Sequence, residues 1–204
     1  QPELDLSDAP LPMRQRRTLR RFYLRLLLGA YLDLPGKDIQ LVRSGRGKPV
    51  LNPESHDSEL DFSMAASGGH CLIGVTSGSV IGVDLEPQGR TAGKPLALAR
   101  RYFSPSEYEA LASEPETQRD EAFLHTWACK EAVVKAGGMG IANMLCRFSV
   151  EVRPGHPSAI LAMDGDDASA WQLRSVILPG GWVAAVTVRY PRLALEGRSL
   201  LPRS

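Results

Sequence analysis

Residues 81–87, IGVDLEP, read as a β-strand that closes the first half of the chain and ends on two acids. Strand side chains alternate between faces, so Val83 and Leu85 turn to the core while Asp84 and Glu86 share the opposite side. Two carboxylates displayed in parallel repel each other unless water or a cation offsets them. Pro87 ends the strand and leaves the pair at its exit. Hard divalent cations such as Mg²⁺ are held this way, by one or two carboxylates with water and substrate phosphate filling the octahedron. Taken alone, the stretch is equally readable as a solvated strand end.

Upstream, Leu19, Phe22, Tyr23, Leu26, Leu27, Ala30 and Tyr31 recur at three- and four-residue spacing over residues 13–34, which predicts one face of an amphipathic helix. Pro35-Gly36 ends it, and β-prone runs follow at 39–43, 60–65, 71–76 and 79–85. Ser77-Gly78 between the last two predicts a hairpin. Downstream, a helix opens at Ser104-Pro105-Ser106-Glu107, where Ser104 as N-cap and Glu107 at the third position make a capping box worth about 1 kcal/mol. A longer helix over 120–136 is stopped by Gly137-Gly138, and strands are expected at 148–152, 159–163, 170–177 and 182–189. Each half is thus helix followed by strands. That repeat predicts an α/β chain of the α+β kind with two similar lobes, residues 1–87 and 88–204, joined near residues 87–95. A cleft between them is where a small-molecule site is expected.

Composition narrows the class of function. The chain has 204 residues, 43% of them hydrophobic, enough for a sizeable core. Its 24 lysines and arginines nearly balance 23 aspartates and glutamates, so net charge argues for neither nucleic acid nor an acidic membrane. Arginines do crowd one segment, at 14, 16, 17, 20, 21 and 25. Three cysteines without CxxC or Cys/His spacing indicate neither a disulfide framework nor a zinc site, and a reducing cytoplasm is expected. The longest apolar run, over 24–34, is broken by Arg25, Gly29 and Asp33 and is too short to span a bilayer.

A second constellation lies at 127–135, WACKEAVVK. On a helix Trp127, Glu131 and Lys135 fall at i, i+4 and i+8, so an acid and a base adjoin on the tryptophan face. By itself this is also an ordinary Glu-to-Lys helix pair, worth about 0.2–0.5 kcal/mol.

The order of the pieces is more specific than any one of them. Gly-Lys-Pro at 47–49, Gly-Val-Asp-Leu-Glu at 82–86, Phe-Ser-Pro-Ser-Glu-Tyr at 103–108, residues 127–135 and Gly-Trp-Val-Ala-Ala-Val at 181–186 together resemble the 4′-phosphopantetheinyl transferases. The chain is most similar to the larger, monomeric type that activates surfactin synthetase, from Arg17 to about Val188. The resemblance implies two pseudo-twofold-related lobes, each a helix packed on a small, mainly antiparallel sheet, binding coenzyme A as co-substrate and Mg²⁺, with Mn²⁺ as an alternative ion, between them. The implied reaction moves the phosphopantetheine arm to a serine of an apo acyl or peptidyl carrier protein and leaves adenosine 3′,5′-bisphosphate. A monomer is expected, with no nucleic-acid or membrane partner. The other reading kept open is a non-catalytic relative that binds a carrier protein or synthase partner.

Residue by residue, the resemblance implies a metal site of Asp84, Glu86 and Glu131, the last drawn from the opposite lobe. Asp84, Glu131 and Lys135 are the candidate catalytic groups. Glu131 would take the serine proton, and Lys135 would sit against the diphosphate, as Asp84 does through the metal. Lys130, off the Glu131 face, is left with charge steering, Trp127 with packing, and Glu107 with capping and support of the metal's surroundings. Coenzyme A is expected at Lys48 and Pro49, at Arg17 and Thr18 in the first helix, and at Ser67. One departure stands out. Relatives usually carry Asn-x-Ser-His-Ser, whose Ser-His pair touches the 3′-phosphate, where this chain has Ser63-Met64-Ala65-Ala66-Ser67. Arg17, Arg46 and His70 are the residues at hand to compensate, His70 also being readable as an ordinary turn histidine.

Overall fold

The computed structural model describes residues 13–45, 47–138, 144–190 and 194–198. Helix α1, Met13–Leu32, leads through a 3₁₀ turn to the short strands β1, Leu41–Arg43, and β2, Pro49–Leu51, and then to β3, Leu60–Ser67, β4, His70–Ser77, and β5, Ile81–Pro87. Helices α2, Pro95–Tyr102, α3, Pro105–Ser113, and α4, Arg119–Ala136, follow, and then β6, Phe148–Val150, β7, Ile160–Met163, β8, Gln172–Leu178, and β9, Trp182–Val188. The architecture is mixed α/β with small antiparallel sheets. None of the described helices is long and apolar enough to cross a membrane.

The centre is a three-stranded sheet in the order β5-β9-β8. Ile81, Val83 and Leu85 point to one face, where they pack with Ala65 of β3 and with Ala184 and Val188 of β9. On the other face Val183 and Ala185 join Ala128, Ala132 and Val133 of α4. The sheet is therefore a middle layer, with α4 on one side and the β3–β4 hairpin on the other. Because β5 is buried on both faces, Asp84 lies at a helix contact, only 6% exposed, rather than at a wet strand end.

Among the described residues the outer edge of β5 has no strand partner, and side chains take its place. Ile81 N–H donates to Asp61 Oδ2 at 2.8 Å and Val83 N–H to Ser63 Oγ at 3.1 Å, while Lys48 Nζ donates to Ile81 O at 3.0 Å. Lys48 and Asp61 are themselves paired at 2.6 Å. These bonds hold the first half of that edge in register.

Three expectations change. The hairpin forms one step earlier, between β3 and β4 around Gly68 and Gly69, with Ser67 facing His70. Ser77-Gly78 instead hands the chain to β5, which pairs with β9 from the far end of the sequence. Gly68 at φ +54° supplies the left-handed residue that a two-residue turn needs, which Ser77-Gly78 does not outrank by sequence. In α1 the buried hydrophobic side chains are Leu24 and Leu28, packed on Ile39, Leu51 and Phe62. Leu19, Phe22, Tyr23, Leu26 and Tyr31 of the predicted face are exposed. The helical period holds but the core takes the narrower leucine pair, while Arg16 and Arg20 reach the β3–β4 turn and donate to Gly68 O at 3.2 and 3.3 Å. Helix α2 and strand β2 lie where the sequence reading assigns no element.

Candidate functional site

Helix α4 meets β5 at Gly82. A Cβ there would overlap Ala132 O and stand 2.5 Å from Ala136 N, so no other residue lets the helix come this close. Asp84 lies two positions on along the same strand face. On the helix, Glu131 and Lys135 are one turn apart on the face turned to β5, and the approach at Gly82 brings Lys135 onto Asp84. The close contact therefore belongs to the site as much as the charged groups do.

Lys135 Nζ donates to Asp84 Oδ1 at 2.5 Å and lies 3.9 Å from Glu131 Oε2. Asp84 Oδ2 is buried and has no hydrogen-bond partner among the described residues. Burial raises the Asp84 carboxyl above its ordinary range, against the pull of the Lys135 ammonium. Glu131 is pushed up to about 7, first by burial, with Lys135 opposing and the negative charges of Asp84 and Glu86 adding to the rise. The carboxylates thus sense one another across two elements. Glu86 is drawn aside, its Oε2 accepting from Arg90 Nη1 at 2.7 Å. Among the described residues no three acidic, histidine or cysteine side chains gather into a ready metal cage. Asp84 and Glu131 are the two carboxylates at hand, and a buried oxygen without a partner beside a second carboxylate fits a hard cation that takes few protein ligands.

The residues expected at coenzyme A divide between two places. Arg17, Thr18 and Pro49 line a groove of about 1550 Å³ between α1, the β1–β2 pair and β3, together with Ala66 and Gly68. Arg20, Arg21, Arg25, Lys37 and Arg43 line it too, and among the described lining residues none is acidic. Such a surface suits a polyanion. The sequence showed the arginine cluster but not Lys37 and Arg43, which join it only through the turn after α1 and the β1–β2 pair. The groove is lined wholly by residues 16–68, and where a cleft is expected the Asp84–Lys135 pair joins β5 to α4. Lys48 is held at the β5 edge by Asp61, next to Gly138 beyond the end of α4, where a Cβ would be 3.8 Å from the Lys48 Cβ. Ser67 sits at the end of β3, one residue from the groove-lining Ala66. Ala65 faces the core, and His70 packs its ring on Trp182. Arg46 lies outside the described residues.

Lys130 corrects the charge-steering expectation. Its side chain is 0% exposed, and Nζ donates to both Glu107 oxygens at 2.7 Å and to Phe148 O at 2.6 Å. Glu107 closes the predicted capping box with Ser104 and also accepts from Val150 N–H at 2.8 Å. Both groups are used in joining α3, α4 and β6. Trp127 stacks on Phe123 and meets Tyr102 edge-on, each at 5.8 Å, a packing role as expected.

A 4′-phosphopantetheinyl transferase superfamily profile matches residues 80–187. Among characterised proteins, the 4′-phosphopantetheinyl transferase HetI of Nostoc sp. (strain PCC 7120 / SAG 25.82 / UTEX 2576) is 36% identical over 175 residues, 86% of this chain and 71% of that protein. The 4′-phosphopantetheinyl transferase ffp of Bacillus subtilis is 32% identical over 168 residues, 74% of this chain and 71% of that one. Among solved structures, a holo-(acyl-carrier-protein) synthase from Bacillus anthracis str. Ames, in complex with CoA (3′,5′-ADP), aligns with a TM-score of 0.43 and 19% identity, over 53% of this chain and 93% of that one.

Proposed function

The chain belongs to the 4′-phosphopantetheinyl transferase superfamily, and from that premise we propose that it transfers the 4′-phosphopantetheine arm of coenzyme A to a serine hydroxyl of an apo acyl or peptidyl carrier protein, releasing adenosine 3′,5′-bisphosphate. The observation that carries this reading is the buried Asp84 Oδ2 without a partner among the described residues, set beside Glu131 and Lys135 by the contact at Gly82. A buried lone pair left unsatisfied costs stability, and a site that binds a charged ligand is the reason to keep one.

In this reading Asp84 and Glu131, with Glu86 turning from Arg90, would hold Mg²⁺, which when bound supplies positive charge to the diphosphate under attack and to the departing phosphate oxygen. Glu131 takes the proton of the carrier serine hydroxyl on its carboxylate. Lys135 Nζ, now on Asp84, is within the same cluster and would turn to the diphosphate as the second cation of the site. Arg17, Thr18, Pro49 and Ser67 would receive the nucleotide end in or beside the basic groove, and Lys48, between that groove and the end of α4, would lie along the path from one to the other.

The test is a mass measurement. Wild-type protein incubated with coenzyme A, Mg²⁺ and an apo carrier protein should add about 340 Da to the carrier, the mass of the transferred arm bound through its serine. Asp84→Ala and Glu131→Ala should bind the carrier yet add no mass. An unchanged carrier with the wild type would overturn the reading and leave a carrier-binding relative in its place.

A further inference from the structure

The tip of the β3–β4 hairpin is gripped from two sides. On one side Arg16 Nη1 and Arg20 Nη2 both donate to Gly68 O, at 3.2 and 3.3 Å. On the other, the His70 ring lies on the Trp182 indole with centroids 4.3 Å apart and planes at 44°. A Cβ on Gly68 would come within 3.4 Å of the same indole, so the turn backbone rests against it as well. Trp182 begins β9 and stands opposite Pro87, the residue after Glu86. A single aromatic side chain therefore joins the end of the carboxylate-bearing strand pair to a hairpin whose Ala66 and Gly68 line the basic groove.

We propose that Trp182 and His70 are positioning residues for the groove: their contact fixes the hairpin tip, and through Gly68 O it fixes the Arg16 and Arg20 guanidinium groups that face the ligand. The inference rests on the reading of the groove as the seat of coenzyme A. It is physical rather than chemical, since the contacts of the two rings lie with each other and with the turn rather than with the Asp84–Glu131–Lys135 cluster. A flat indole offers the turn a rigid support, and a half-buried tryptophan packed against the cluster that holds Ala65 and Ala184 does not yield when the ligand arrives. Loss of the support lets the tip and both arginines relax before binding. The ligand must then order them, which weakens affinity and leaves the chemical step unchanged.

The experiment compares wild type, Trp182→Ala, Trp182→Phe and His70→Ala by calorimetry with coenzyme A and by steady-state transfer, with a thermal melt to establish folding. Trp182→Ala should raise both Kd and KM for coenzyme A about tenfold, or ~1.4 kcal/mol, with kcat within about twofold. Trp182→Phe should restore most of the affinity. His70 is exposed, so His70→Ala should show about a threefold rise in a protein that melts as wild type does. Unchanged affinity in Trp182→Ala, or in His70→Ala should the tryptophan variant fail to fold, would overturn the proposal, as would a fall in kcat equal to that in kcat/KM. If wild type binds coenzyme A but transfers nothing, the functional reading fails while the affinity series still decides the positioning role. If wild type does not bind coenzyme A, both fall.

Discussion

Lys130 and Glu131 follow one another on α4 and, about 100° apart around the helix, enter two regions that treat buried charge in opposite ways. Lys130 turns to α3 and β6, where its ammonium donates to three acceptors and each Glu107 oxygen accepts twice. Glu131 turns to β5, where burial and the charges of Asp84 and Glu86 raise its proton affinity and Asp84 Oδ2 has no partner among the described residues. One pair is complete within the protein; the other is left open. The difference teaches where a ligand belongs: a satisfied buried ion pair holds elements together, and an unsatisfied one marks the place where charge is to be supplied from outside.

The comparison breaks most sharply at the closed pair. Lys130→Ala should cost about 3–5 kcal/mol, because it leaves Glu107 buried without its cation, and urea unfolding should show it as a large drop in midpoint. The same experiment on a Lys130→Met, Glu107→Gln double variant should recover part of the loss, since neither charge then remains and the amide oxygen can still accept from one of the backbone N–H groups that Glu107 serves. Glu107→Ala belongs with Lys130→Ala rather than with a simple lost cap, so the sequence-based figure of about 1 kcal/mol is too small. At the open pair the expected damage is to turnover. Asp84→Asn should keep the fold and lower kcat about 10²–10³-fold, as for a group that stabilises transition-state charge, read as the rate at which holo carrier protein accumulates.

A finer test uses pH. In the folded protein Glu131 holds its proton up to about 7, whereas its ordinary value is 4.5. Between those values the folded state binds more protons than the unfolded chain, so stability falls as pH rises from about 4.5 to about 7. Asp84, also raised by burial, contributes in the same direction. Urea midpoints in metal-free buffer should therefore decline across that window, and Glu131→Gln should flatten the decline and gain about 1 kcal/mol at pH 8 while transfer is lost. A variant as pH-sensitive as wild type would show that Glu131 is not the strained group. The smallest effect is expected at Arg90, which is 58% exposed in its pair with Glu86. Arg90→Ala should change stability by no more than about 0.5 kcal/mol, measurable by the same unfolding curves.

Much of this was legible in the residues. The alternation in 81–87, the capping box at Ser104 and Glu107 and the long helix ending at Gly137-Gly138 are local features, and the structure keeps each of them. The order of motifs sufficed to identify the family and to bring Asp84, Glu131 and Lys135 together in expectation. Pairing was less legible. Ser77-Gly78 and Gly68-Gly69 are both plausible turns by composition, and only the burial of β5 against β9 decides that the hairpin closes at the second.

By itself the sequence determined which residues share a face of a strand or helix, because that follows from a repeat of two or 3.6 residues along the chain. It did not determine what each face meets. That α1 buries Leu24 and Leu28 and exposes Phe22 and Tyr23, that Lys130 finds Glu107, and that Gly82 admits α4 close enough to seat Lys135 on Asp84 were decided by tertiary structure alone. The physical reason is that burial and charge pairing are set by neighbours distant in sequence, whose identity no local period encodes.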